Sequence, residues 1–252
     1  MHSRWTALFL FSFLLVVFSC KKDDIPTDGT ITIRMERRVG SKAFELNKMI
    51  YLSPVGHPYE ILNLKYYISE IKLHNSDGNS IVFFDEGHLT NVKDPGSWSF
   101  NLNIPAGRYD KLSFTYGFTK DKNIVSYLPN TVANQNMLWP ERLGPGGYHY
   151  MQYEGRYDSL GTGNVKSFNL HTGPTNGTDN SFVVELPLGD EININGNAWE
   201  LELIMDMQEW LQNPTVYDYE KYGQAIMAQQ SAQNVLKDNG QSVFQLGDLK
   251  EL

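Results

Sequence analysis

From Ile31 to Met205 the chain alternates apolar and polar residues in one run after another, and that period of two leaves few folds open. Ile31, Ile33 and Met35 alternate with Thr32, Arg34 and Glu36, and Trp98, Phe100, Leu102 and Ile104 alternate with Ser97, Ser99, Asn101 and Asn103. Leu112, Phe114 and Tyr116 form a further set, followed by Phe182, Val184, Leu186 and Leu188, then by Trp199, Leu201, Leu203 and Met205. Successive side chains of a strand point to opposite faces, so each run describes a strand with one buried face, the pattern of antiparallel sheets. Turn signals separate the runs: Asp77-Gly78, Pro105-Ala106-Gly107 and Asn195-Gly196. No strand–helix–strand rhythm competes. The expected fold is all-β: a single antiparallel β-sandwich or barrel-like domain over residues 30–252, with long loops and a C-terminal helix.

Two segments depart from the alternation. Residues 120–147 hold Pro129, Trp139, Pro140, Pro145, Gly144, Gly146 and Gly147 with no strand pattern, and an irregular connection of that length is usually functional or disordered. From Tyr219 to Lys237, the residues Tyr222, Ile226, Gln229, Gln233 and Leu236 recur at helical spacing, with Gly240 beyond them, which predicts a helix over an open end of the sandwich.

The first 19 residues read as an address. Arg4 precedes an apolar run from Ala7 to Phe18 that is too short to span a bilayer. The run ends at Val17-Phe18-Ser19-Cys20, which resembles the lipobox of a bacterial lipoprotein. That resemblance implies a signal peptide over residues 1–19, acylation at Cys20, a lipidated tether over 20–29 and attachment to a membrane through several buried acyl chains. Lys21-Lys22-Asp23-Asp24 is similar to the surface-export tract of Bacteroidota lipoproteins, and it reads equally as a charged tether. The expected location is the outer membrane, facing the cell surface or the periplasm.

Composition excludes more than it selects. A single cysteine rules out an internal disulfide and a cysteine-based zinc site. A formal charge of -8 argues against nucleic acid as a partner. There is no HExxH, GxSxG or Walker loop, so the sequence supports no enzymatic activity of its own.

The residues with chemistry to offer cluster late in the chain. Met137-Leu138-Trp139-Pro140-Glu141 is followed by Gly147-Tyr148-His149-Tyr150-Met151-Gln152-Tyr153, and then by Leu170-His171-Thr172-Gly173. On a strand, His149, Met151 and Tyr153 would share one face, with His171 opposite on the next strand. Imidazole with thioether suits copper. Read on their own, the same residues also fit hydrogen-bonded packing positions and a core-filling methionine. His57, His74 and His88 lie near turns and are expected to be solvated.

With Leu64-Lys65-Tyr66-Tyr67-Ile68-Ser69 and Ile104-Pro105-Ala106-Gly107-Arg108-Tyr109 ahead of these pieces, the ordered series over residues 30–250 resembles the MbnP-like (methanobactin-associated, MopE/CorA-related) copper-binding domains. The resemblance implies an extracytoplasmic β-sandwich that binds copper through histidines, in metal uptake or handling. It also implies a tryptophan open to oxidation to kynurenine by a partner di-haem enzyme related to bacterial cytochrome c peroxidases. Trp139, His171 and His149 match the family positions, and Met151 is a further candidate ligand. Well-understood copper binders have a histidine two residues after the tryptophan; here Glu141 stands there as a candidate ligand, a harder donor that should lower Cu(I) affinity or shift the set to His149. The alternative reading is a surface glycan-binding lipoprotein, with Trp98, Tyr116, Tyr127, Trp139 and Tyr148 as stacking platforms.

Overall fold

A computed structural model describes residues 25–78 and 81–252, with the side chain of Phe83 left aside. The expected signal peptide over residues 1–19 and Cys20 therefore lie outside the described residues.

One sheet contains β1 (Gly29–Val39), β2 (Lys42–Ala43), β7 (Ser99–Ile104), β12 (Ala198–Asp206) and β13 (Phe244–Glu251). The other contains β3 (Tyr51–Leu52), β4 (Pro58–Asn75), β5 (Ile81–Phe84), β6 (His88–Asn91), β8 (Gly107–Tyr116), β9 (Met151–Asp158), β10 (Val165–Thr172) and β11 (Phe182–Ile194). The alternating residues face inward as expected: Ile31, Ile33 and Met35 of β1 and Leu201, Leu203 and Met205 of β12 are all buried. In the second sheet, Phe182, Val184 and Leu186 of β11 stand opposite Tyr116, Phe114 and Leu112 of β8. The two faces meet through rings. Phe244 of β13 lies 5.0 Å from Phe114 and 6.2 Å from Tyr66, at separations where aromatic pairs add to their area burial.

One ladder departs from the antiparallel expectation. β1 runs parallel to β12, with Ile33 beside Leu201, while β7 flanks β1 antiparallel on Ile33 through Phe100. Parallel neighbours need a long crossover, and here the rest of the sandwich lies between the two strands in sequence. Pro105-Ala106-Gly107 and Asn195-Gly196 are corners rather than hairpins, because they carry the chain from β7 to β8 and from β11 to β12, across the two sheets. Asp77-Gly78 does turn a hairpin, between β4 and β5, with Gly78 at a φ of 76°.

The C-terminal helical segment is broken into α2 (Tyr219–Tyr222), a 3-10 turn (Ile226–Ala228) and α3 (Gln230–Gly240). Gly223, at a φ of 67°, ends the first piece. Residues 120–147 are largely irregular, with only α1 (Val132–Gln135) and a 3-10 turn (Glu141–Leu143).

Candidate metal centre

The two late motifs pair with one another. Leu138 bridges Tyr148 antiparallel, the Trp139 amide donates to Gly147 O (3.0 Å), and the His149 amide donates to Met137 O (2.7 Å). This short ribbon places Met137, Trp139 and His149 on one side, flanking the bridged pair. Trp139 and His149 are both buried, at 2% and 5% exposure, and their rings meet edge to face with centroids 4.9 Å apart. The third motif closes the group: His171, next to the end of β10, lies 5.1 Å from the His149 ring at a right angle.

Glycines explain how an indole fits there. A Cβ on Gly173 would overlap Cε3 and Cζ3 of Trp139, and one on Gly147 would lie 2.6 Å from the carbonyl carbon of Ile124. The Gly-Tyr-His and His-Thr-Gly motifs thus each combine an imidazole with a glycine that permits close backbone approach.

Hydrogen bonds fix the nitrogens. His149 Nδ1 lies 3.0 Å from Met137 O, an acceptor only, so Nδ1–H donates and Nε2 carries the lone pair. His171 Nε2 lies 2.9 Å from Glu154 Oε1, so Nε2–H donates to the carboxylate and Nδ1 is the lone-pair atom. Burial, then the neighbouring His171, pushes His149 down to about 4, which keeps it neutral. The hydrogen bond from His171 holds the Glu154 carboxyl below its usual range. An imidazole that gives one N–H to a carbonyl or carboxylate and keeps its other nitrogen basic is the usual arrangement of a metal-ligating histidine. The donor set fits a soft or borderline cation.

Two candidates from the sequence lie elsewhere. Met151 is fully buried in the hydrophobic core, and its register partner Thr172 is bonded to the core hydroxyl of Tyr116. His171 is instead paired with Gln152, so it occupies the face opposite to Met151 and Tyr153. His149 reaches His171 only because it precedes β9, where the ladder has become irregular. Glu141 is exposed on its 3-10 turn and lines an adjoining cavity of about 520 Å³ with Lys120, Tyr150, Pro174 and Asp179. Among the described residues, no group of three His, Cys, Asp or Glu side chains is placed to hold an ion, so Glu141 does not replace the missing histidine.

Sequence reasoning missed Met227. Its Sδ lies 3.4 Å from His149 Nε2, on the 3-10 turn between α2 and α3. Only the helical spacing of Ile226 and Gln233 hinted that this segment returns to the site.

His57, His74 and His88 are held in structure rather than solvated. His57, 2% exposed, accepts from the Leu160 amide at Nδ1 and packs on Tyr157. His74 bonds Ser113, and His88 stacks on Phe100. Of the proposed glycan platforms, Tyr116, Trp139 and Tyr148 are buried and expose no ring face, and Arg37 covers Trp98 at 3.9 Å.

Fold and site together define a β-sandwich protein with a His–Trp–His cluster in which Trp139 and His149 are buried. The profile of the MbnP family matches residues 28–228, and the chain belongs to that family. Among solved structures it is similar to MbnP from Methylosinus trichosporium, with a TM-score of 0.51 and 13% identity, over 87% of this chain and 98% of that one. At that identity the likeness shows the fold. No curated protein matches the chain.

Proposed function

We propose that the protein is a copper-binding lipoprotein of metal uptake or handling, with His149 and His171 as the protein ligands and Trp139 beside them. The observation that carries this reading is the pair of orienting hydrogen bonds, His149 Nδ1 to Met137 O and His171 Nε2 to Glu154, on imidazoles 5.1 Å apart. Structural histidines also make hydrogen bonds, but two lone-pair imidazoles brought together beside an indole are better explained by a cation. Family membership supports copper as that cation. Acylation of Cys20, a place on the outer membrane and the absence of turnover belong to the same reading. So does oxidation of Trp139 by a di-haem partner enzyme; its indole Nε1 is buried without a hydrogen bond.

Copper titration of the whole protein tests the reading. Wild type takes up one equivalent, and the His149→Ala/His171→Ala double variant, checked for fold by circular dichroism, loses it. Unchanged affinity in a folded double variant would remove the site.

A further inference from the structure

The side chain facing the lone-pair nitrogen of His149 is a thioether. Met137 O fixes the proton on Nδ1, so Nε2 and Met227 Sδ confront each other at 3.4 Å as two electron-pair donors with no hydrogen between them. Two ligands of one tetrahedral ion, with bonds of about 2.0 Å to nitrogen and about 2.3 Å to sulfur, stand about 3.5 Å apart. The 3.4 Å separation matches the distance between two ligands of one such ion.

The backbone that carries Met227 is tied to the site. Gln233 of α3, 1% exposed, bonds three pieces of the site at once: its Nε2 donates to His171 O (2.8 Å) and Ile226 O (3.3 Å), while its Oε1 accepts from the Gly173 amide (3.2 Å). Thr175 Oγ1 adds a bond to Met227 O (2.9 Å). The turn that carries Met227 is therefore tied to the backbone of His171 and to the glycine beneath Trp139. A methionine serving only to fill space needs no such fixed approach to an imidazole lone pair.

We propose that Met227 is a thioether ligand of the copper site and biases it toward Cu(I). The proposal rests on the histidine reading above and extends it. Sulfur stabilises the softer, reduced ion, and it replaces the histidine that Glu141 displaces from the motif.

The test measures Cu(I) and Cu(II) affinities separately, each by competition with a chromophoric chelator, on the whole protein and three variants. In Met227→Leu, which preserves bulk, Cu(I) affinity should fall by about tenfold or more while Cu(II) affinity stays within about twofold. Met227→His should restore tight binding but favour Cu(II). X-ray absorption of the Cu(I) form should show a sulfur neighbour in wild type and none in Met227→Leu. Equal Cu(I) affinity in wild type and Met227→Leu, or a wild-type spectrum without sulfur, would overturn the proposal. His149→Ala/His171→Ala separates the two claims: losing both ions there while Met227→Leu changes neither sinks Met227 alone, and binding that survives the double variant sinks the histidine reading.

Discussion

Gly173 shows how much of the site depends on a missing methyl group. Its Cα lies against the Trp139 indole, and alanine there would force the ring or the end of β10 to move. Overpacking of this kind costs about 1–3 kcal/mol, so Gly173→Ala should lower the denaturant midpoint without changing the slope. It should also weaken copper binding, because the displaced indole pushes on His149. A variant as stable as wild type would show that the pocket has slack that its contacts do not suggest. His149 itself carries a second prediction. Its folded-state value of about 4 lies below the ordinary 6.5, so the unfolded chain binds the extra proton first. Stability from this residue is complete above pH 6.5 and is lost as pH falls toward 4, by about 3 kcal/mol in all. Urea unfolding of the metal-free protein between pH 7 and 4 should show that decline, and His149→Gln should flatten it. At this scale the sequence disclosed identities but not neighbours: Trp139, His149 and His171 were visible through their motifs, whereas Met227 sits in Ala225-Ile226-Met227-Ala228, where nothing marks it as different from a core methionine.

At the scale of elements, the site is made by strands that stop being regular. Met151 and Tyr153 obey the alternation of β9 and go to the core, while His149, two residues earlier, has left the ladder and escapes that parity. Period-two reasoning placed the three on one face, and it fails where the strand gives way to the ribbon of residues 137–139 and 147–149. α3 was legible from its spacing, but its polar inward residue was the informative one. Gln233→Leu removes the side-chain bonds to the His171 carbonyl and the Gly173 amide, and leaves Ile226 O only its bond from the Gln229 amide, at a cost of about 1–3 kcal/mol. Hydrogen exchange should then accelerate around residues 226–228, and exchange unchanged there would show that the turn is held by packing alone. β13 escaped notice for a different reason. Leu246 faces Leu203 and Leu249 faces Leu201, so three steps on β13 oppose two on β12. A bulge at Gly247-Asp248 absorbs the extra residue and destroys the alternation that would have announced a strand.

For the whole molecule, the alternating runs were enough to specify two packed sheets, because residues 31, 33, 35, 201, 203 and 205 must all be covered. They could not specify topology. The parallel pairing of β1 with β12, and the corners at residues 105–107 and 195–196, follow from which sheet each strand joins, and a local pattern carries no such information. The sandwich works as a rigid frame: β9, β10 and the 137–149 ribbon fix two imidazoles from one side, and the helical segment brings Met227 from the other. Crystals of the copper-loaded protein, measured at the copper absorption edge, test that convergence. One anomalous peak per chain is expected, bonded to His149 Nε2 and His171 Nδ1 beside the Trp139 ring. An ordered copper elsewhere, with those two nitrogens unliganded, would contradict it.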